Sequence, residues 1–279
     1  MAFIAILNKS GIACASDADH TIYRISRKEP LALAVEPDSP VCWEKIIDGY
    51  LARRNDIPKK NISFYARDFE DYLCELPSEA AWSSLREKEA NIIFMGYGQD
   101  DVYPSVFDVK VAIDDEGYLC FGLAQKGKVG FRNPAFFHFL GDFERVAPLL
   151  FGATTETRRV LYESRCRMTE AYRERIMEKF KGTKYEQNVV QGLAKENVAD
   201  LVALRFDQAS DSFMEELTIG LDSFSMEDLV SAAETIVDAN ARLNHLYAGK
   251  KGMPERTKEI AVLTRVEGLT WIKHSLYAL

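Results

Sequence analysis

The residues of this chain that are best placed for chemistry lie in its first 21 positions, where two apolar runs flank a polar turn. Residues 1–7 and 12–15 are rich in Ile and Ala, and Lys9-Ser10-Gly11 joins them. This pattern predicts a β-hairpin. An amino group at the beginning of a strand can serve both as a base and as the carrier of a nucleophile. The opening hairpin is therefore the first candidate for a reaction centre.

This hairpin resembles the start of the proteasome-type N-terminal-nucleophile hydrolases. Mature chains of that family begin with a threonine strand and a polar turn with glycine, followed by a small-small-Asp-x-x-x-Thr ending. Here Ala15-Ser16-Asp17 matches the small-small-Asp, Thr21 matches the closing threonine, and Met1 falls on the nucleophile. Met has no hydroxyl or thiol, so the resemblance implies a degenerate active site.

The family also has a lysine on a neighbouring strand, which lowers the pKa of the nucleophile. Residues 21–25 match that strand, with Thr21 where the lysine belongs. Lys28 and Arg24 lie close in sequence, but strand alternation directs Arg24 to the opposite face from the residue before it. Of the catalytic set that the resemblance implies, Asp17 alone keeps its expected position.

Four vestigial site positions follow from the resemblance: Met1, Ala2, Asp17 and Thr21. We expect Asp17 at the end of the second strand, where it would attract the Met1 ammonium. Ala2 is included because a one-residue deletion in the hairpin would place it on the nucleophile. A threonine-to-alanine substitution is also what an experimenter installs to trap a substrate.

Further segments match strands of the same family. Residues 91–97 form an apolar run that ends in Gly-Tyr, and residues 105–121 indicate two strands around a turn at 114–117. Residues 259–274 resemble the family's closing hairpin. The resemblance thus implies an α+β fold, a four-layer αββα sandwich with two sheets between helical layers.

Helical spacing predicts helices over residues 42–54 and 64–76, and helices dominate from 143 to 247. The clearest helix begins at Ser225. Its side chain can cap the helix, and Asp228 three residues later favours the positive helix start.

Composition favours one compact domain. The 279 residues are 47% hydrophobic and 28% charged, which is sufficient for a single core over residues 1–279. Within it we predict a helix-rich insertion or layer at about 143–248. No apolar run is long enough to span a bilayer, and the N-terminus lacks the features of a signal peptide. We therefore expect a cytoplasmic protein with no membrane partner.

Sequence motifs for cofactors are missing. The five cysteines include no CxxC pair and the four histidines form no HExxH motif, so we expect no metal site. The cysteines are interpreted as reduced core residues. The sequence also lacks GxGxxG, the Walker pattern and GxSxG. We predict no cofactor.

A formal net charge of −8 disfavours a nucleic-acid partner, because phosphate binding needs a basic face. Residues 158–184 are locally basic, with glutamates interspersed and apolar residues at helical spacing. We interpret them as an amphipathic helix with solvated charges, in which Glu163 and Arg167 form a pair. The alternative is a binding patch.

Residues 131–143 contain five phenylalanines around Asn133-Pro134. The favoured interpretation is a loop that aromatic side chains anchor on the core. The alternative is a subunit contact made by Phe136, Phe137 and Phe139.

These observations lead to three hypotheses of function. The favoured one is a proteasome-like assembling or binding subunit without peptidase activity. It would be a homo-oligomer, in the ring that the resemblance implies, and would take a protein or peptide ligand. The second is an active threonine-type peptidase or amidohydrolase whose nucleophile is absent or substituted. The third is an unrelated α+β regulatory protein.

Overall fold

The structure is a computed structural model that describes most of the chain. The described residues are 1–26, 29–37, 39, 41–53, 60–76, 85, 89–114, 116, 119–131, 133–143, 145–146, 150, 155–194, 217–249 and 257–274. The backbone divides into two compact units. Residues 1–146 and 218–279 form the first, and residues 147–217 form the second.

Two sheets and several helices make up the described part of the chain. The strands are β1 (Ala2–Asn8), β2 (Gly11–Ser16), β3 (Ile22–Arg24), β4 (Leu31–Val35), β5 (Ala90–Gly96), β6 (Ser105–Ile113), β7 (Leu119–Lys128), β8 (Ala135–Gly141), β9 (Glu259–Thr264) and β10 (Gly268–Lys273). The main helices are α1 (Trp43–Arg53), α2 (Ile62–Glu75), α3 (Thr155–Phe180), α4 (Glu186–Ala194) and α5 (Met226–Tyr247).

The first sheet is antiparallel and has the strand order β10-β9-β2-β1-β8. The predicted opening hairpin is confirmed, because β1 pairs with β2 and Asn8 lies opposite Gly11. Gly11 has a φ of 152°, and a Cβ there would lie 2.8 Å from the carbonyl oxygen of Leu263. Glycine thus permits both the turn and the close approach of β9. The predicted closing hairpin is confirmed by β9 and β10.

The second sheet is also antiparallel, in the order β3-β4-β5-β6-β7. The strands predicted over residues 91–97 and 105–121 are confirmed by β5, β6 and β7. The molecule is therefore a mixed α+β protein with two antiparallel sheets.

One hydrophobic core lies between the two sheets. Phe3 and Cys14 come from the first sheet, and Ile93, Met95 and Val106 from the second, and all five are fully buried. Strands buried on both faces show long apolar runs, and every residue of β1 and β2 is indeed buried.

The helices of the first unit cover the sheets. The predicted helices α1 and α2 are confirmed, and they pack with the second sheet in a core that includes Ile47, Tyr50 and Phe69. Helix α5 contacts β1, β2 and β9. Its predicted start is confirmed, since Ser225 and Asp228 form a reciprocal capping box.

Strand β8 corrects the prediction for residues 131–143. The predicted loop is wrong over Ala135–Gly141, which pairs antiparallel with the whole of β1. Aromatic residues favour strands, and β1 would otherwise be an unpaired sheet edge. Phe137 is only 7% exposed, whereas Phe131, outside the strand, is fully exposed.

The prediction that all five cysteines are core residues is also wrong. Cys14 is buried, Cys166 is intermediate, and Cys42, Cys74 and Cys120 are exposed. Cys120 lies in a strand as expected, but alternation in β7 directs it to the outer side.

The second unit is described by α3 and α4. Helix α3 confirms the predicted helix up to Phe180, but its predicted amphipathic character is wrong, because apolar and charged residues do not separate onto different faces. Its Glu163 carboxylate lies 3.7 Å from the Arg167 guanidinium and 3.0 Å from that of Arg159. The apolar side chains of Met168 and Tyr172 on this helix are more than half exposed. Among the described helices of the chain, none combines the length and apolar character required to cross a bilayer.

Candidate functional site

The start of β1 lies directly against Asp17. The backbone N–H of Ala2 donates a 2.6 Å hydrogen bond to Asp17 Oδ1, and the Asp17 N–H donates to the Ala2 carbonyl at 3.2 Å. The register that pairs Phe3 with Ser16 produces this geometry. Ala2 is fully buried and Asp17 is 6% exposed, whereas half of the Met1 surface is exposed. The structure thus brings together two of the predicted site residues, Ala2 and Asp17.

Thr21, the fourth predicted site residue, is buried in a network of hydroxyl groups. Ser16 Oγ donates to Thr21 Oγ1 at 3.0 Å, and Thr21 Oγ1 lies within donating distance of the Ala18 carbonyl at 3.4 Å. The Ala18 N–H in turn donates to Ser16 Oγ at 3.1 Å. This network fixes the turn after β2, next to Asp17. The expected attraction between Asp17 and the Met1 ammonium stays a prediction.

Glu259 is a central residue of this region that sequence reasoning missed. Its carboxylate accepts hydrogen bonds from the backbone N–H groups of His20 at 3.0 Å and of Thr21 and Ile22 at 3.1 Å each. Nδ1 of His274 lies 3.2 Å from Glu259 Oε1. The carboxylate therefore ties the turn after β2 to the closing hairpin.

The electrostatics of Glu259 reflect its complete burial. Desolvation raises the pKa of its carboxyl, against the opposing effects of the three N–H donors and of His274. His274 is fixed by stacking on Trp271, with ring centroids 4.2 Å apart. The sequence signal for Glu259 is weak, because one acidic residue at the head of an apolar strand usually faces solvent.

Two cations near the site are engaged with neighbouring groups. The Lys258 ammonium lies 3.2 Å from Oδ2 of Asp19, in a partly buried ion pair. Arg24 Nη2 donates a hydrogen bond to the Leu269 carbonyl. Lys28, the other basic residue considered from sequence, lies outside the described residues. Lys258 was missed because it is remote in sequence and comes next to Asp19 only when β9 pairs with β2.

A cavity of about 170 Å³ opens beside this turn. Its described lining consists of His20, Tyr23, Val35, Glu36, Pro37, Ser39, Val41, Cys42, Trp43 and Glu44. His20 joins the cavity to the site, because its backbone is bound to Glu259 while its Nδ1 lies 3.8 Å from Glu44 Oε1. His20 has a φ of 55°, an uncommon value for a non-glycine residue. Such backbone conformations cluster at functional sites.

The polar groups of this cavity are held in place. Glu36 is 8% exposed, and its Oε2 accepts a 3.0 Å hydrogen bond from Asn91 Nδ2. The indole N–H of Trp43 donates to Ser39 Oγ at 2.7 Å. Burial, followed by the nearby Glu44, raises the pKa of the Tyr23 hydroxyl. The side chains of Glu36 and Trp43 are thus oriented by hydrogen bonds within the cavity wall.

The residues at the start of β1 do not supply the nucleophile of an acyl-transfer centre. Neither Met1 nor Ala2 carries a hydroxyl or thiol, and Asp17 already accepts the Ala2 N–H. Over the residues that the structure describes, no cluster of three or more His, Cys, Asp or Glu side chains is suited to a metal ion. What the site offers is a buried carboxylate and a preformed cavity beside it.

Comparisons with protein families and with curated proteins do not assign this chain to a family. The sequence matches no protein-family model, and a search of curated proteins gives no match.

Proposed function

We propose that this chain is a proteasome-like assembling or binding subunit that has no peptidase activity. The observation that carries the proposal is the contact between Ala2 and Asp17. The resemblance implies an aspartate beside the nucleophile at this place, and here the strand start beside the aspartate is Met1-Ala2. A site that keeps its carboxylate without its nucleophile can hold a chain but cannot attack its carbonyl.

The arrangement of the elements supports a four-layer αββα sandwich as the fold behind this function. Both sheets contribute to one core, α1 and α2 pack on the second sheet, and α5 contacts the first. Such a stack buries one face of each helical layer and both faces of each sheet. The closing hairpin β9–β10 pairs with β2. That pairing agrees with the closing-hairpin match of the sequence.

The ligand that we propose is a segment of peptide or protein. The cavity of about 170 Å³ is smaller than the roughly 300–1,000 Å³ of a typical small-molecule pocket, and its size suits one side chain. It lies next to the turn that carries Thr21. Subunits of the same kind would assemble through other surfaces, in a closed homo-oligomer.

Covalent labelling tests the lack of peptidase activity. The purified chain is incubated with fluorogenic peptides and with a threonine-directed covalent inhibitor, and its intact mass is then measured. We expect neither cleavage nor a mass increase, because positions 1 and 2 offer no nucleophile. An active proteasome treated in parallel shows that the reagents work. An adduct on the tryptic peptide of residues 1–9 would contradict the proposal and support the active-hydrolase alternative.

A further inference from the structure

We infer that β7, the last strand of the second sheet, pairs with β7 of a second copy of this chain, antiparallel and about a two-fold axis. This inference rests on the homo-oligomer of the proposed function and specifies one of its contacts. Three features carry it: the open edge of β7, the small side chains on its exposed side and the opposite charges at its two ends.

The edge of β7 is the first feature. Over the described residues, β6 is the only strand that pairs with this ten-residue strand, and no backbone hydrogen bond from outside the ladders reaches it. Alternate N–H and C=O groups of such a strand point away from the sheet. A second strand can therefore pair with them.

Most of this edge lacks the devices that keep open strands from pairing. Natural sheets protect an edge with charged side chains, with bulges or by making the strand very short. In β7 the bulge and the two lysines, Lys126 and Lys128, lie at the end of the strand. Residues 119–125 are regularly paired with β6 and have no charged side chain. They form a long, unprotected edge.

The side chains of β7 are the second feature. Those on one side pack with α1 and α2 in the core of the second sheet. The opposite, exposed side carries three small residues, Cys120, Gly122 and Ala124. A Cβ placed on Gly122 would meet Lys110 Cβ at 3.7 Å as its nearest heavy atom, which is an ordinary contact. A second strand can therefore approach this side without a clash.

Charge is the third feature, and it indicates that the second strand is another β7. Asp114 and Glu116 precede the strand, Lys126 and Lys128 lie at its end, and all four are exposed. Antiparallel pairing brings the acidic end of one copy to the basic end of the other, and the two-fold axis repeats this match. Parallel pairing would instead place like charges together, which is unfavourable.

The two lysines also contact their own chain. Lys126 Nζ lies 3.6 Å from Asp108 Oδ2, and Lys128 Nζ lies 2.6 Å from Asp101 Oδ1. The two lysine side chains are nevertheless 41% and 51% exposed. Because an ammonium group has three donors, each can also bind a carboxylate of the second copy.

The charges also place the axis. Phe121 is the midpoint in sequence between Glu116 and Lys126. An axis at Phe121 therefore places Cys120 of one copy opposite Gly122 of the other. Opposite residues of antiparallel strands have Cα atoms about 4.5–5.5 Å apart, within the roughly 4.4–6.8 Å that a disulfide spans. Gly122→Cys should thus form a disulfide with Cys120 of the second copy.

Cross-linking tests this geometry. Cys42, Cys74 and Cys166 are first replaced by serine, and the thiols are then oxidised with diamide, which takes up their two hydrogens. On a non-reducing gel, Gly122→Cys should run mainly as a dimer. The parent without Gly122→Cys, and Gly122→Cys combined with Cys120→Ser, are the matched controls. Both should give at least about fivefold less dimer, because their thiols are diagonal across the axis and too far apart.

Sedimentation velocity over a range of concentrations tests the contact in the otherwise unmodified chain. Gly122→Lys should weaken association about tenfold or more, because two ammonium groups would meet near the axis. Gly122→Ala is its control and should associate like the unmodified chain. Glu116→Lys should weaken association about threefold, as expected for exposed ion pairs. Its control is Glu267→Lys, at an exposed position between β9 and β10, which should have no effect.

The outcomes separate this inference from the proposed function. If the chain associates, but Gly122→Lys associates equally well and Gly122→Cys gives no more dimer than its controls, the β7 contact is wrong and the homo-oligomer stands. A cross-link that persists when Cys120 is serine would also overturn the pairing. If the unmodified chain is a monomer at every concentration, both the β7 contact and the homo-oligomer are wrong.

Discussion

The backbone N–H of Ala2 donates a 2.6 Å hydrogen bond to the Asp17 carboxylate, and both residues are buried. The bond closes the open end of the first hairpin, where the chain leaves the ladder of β1 and β2. The Asp17 carboxylate therefore stabilises the fold, in addition to any role in a functional site. Its removal therefore has consequences for folding that can be measured without knowledge of the ligand.

Asp17→Ala should lower the free energy of unfolding by about 1–3 kcal/mol, because the buried Ala2 N–H loses its acceptor. Urea denaturation followed by circular dichroism measures the change. Asp17→Asn is the matched control, since its side-chain oxygen can still accept and the loss should be smaller. Equal stability of the alanine variant and the unmodified chain would mean that the bond is not formed in solution.

Thr21→Val should destabilise the turn after β2. The substitution keeps the shape of the side chain but removes the hydroxyl that accepts from Ser16, and a buried donor without a partner costs about 1–3 kcal/mol. Thr21→Ser retains the hydroxyl and is the control. Thermal melting of the two variants distinguishes them, with a lower midpoint expected for valine. The reverse order would show that the methyl group of Thr21 matters more than its hydroxyl.

The contribution of Glu259 to the free energy of unfolding should decrease as the pH rises. Burial raises the pKa of its carboxyl in the folded chain, so the unfolded chain loses this proton first as the pH increases. The contribution of Glu259 is therefore most favourable below the ordinary glutamate pKa of about 4.3 and declines until the pH has passed the higher folded value.

Glu259→Gln does not titrate, and it isolates this contribution. The free energy of unfolding of the unmodified chain, minus that of the variant, should decrease from pH 4 upward in urea titrations. Glutamine also presents an amide to the N–H groups of His20 and its neighbours, so the variant should be less stable overall. Glu267→Gln should give a curve parallel to the unmodified chain. A difference that rises with pH would contradict the raised pKa.

The fourth prediction is self-association, and the structure indicates which residues should be mutated to test it. Phe137 lies in β8 and is 7% exposed, so Phe137→Ser would damage the core as well as any contact. Met168 and Tyr172 on α3 are more than half exposed, and they test the helical surface without that complication. Exposed apolar side chains in a contact carry much of its binding energy.

Light scattering of the unmodified chain at tens of micromolar should give a mass above that of a monomer. The double variant with Met168→Ser and Tyr172→Ser should shift the mass towards the monomer. Val266→Ser is the control, because Val266 is almost fully exposed in the turn between β9 and β10. A monomer in the unmodified sample would contradict the assembly part of the proposal.

Several elements are predicted correctly from residues that are neighbours in the sequence. The hairpin at Gly11 depends on a turn of two residues, Lys9 and Ser10, between Asn8 and Gly11. The start of α5 depends on Ser225 and Asp228, which lie three positions apart. Such signals succeed because the groups that stabilise the turn or cap are neighbours in the chain, so no distant contact is needed to form them. The position of Asp17 was expected from the family resemblance, and it follows directly after the last residue of β2, which pairs with β1.

The formation of β8 and the burial of Glu259 in the site are determined by tertiary structure alone. Residues 135–141 form a strand because β1 offered an unpaired edge, which no local pattern contains. Glu259 joins Thr21 across 238 positions of sequence, and its burial is tolerated only because three N–H groups and His274 converge on it. The cavity between His20 and Glu44 likewise exists only once β3 and the start of α1 have packed together. Buried polar contacts and cavities depend on which distant segments meet, and that is settled by the packing of the whole chain.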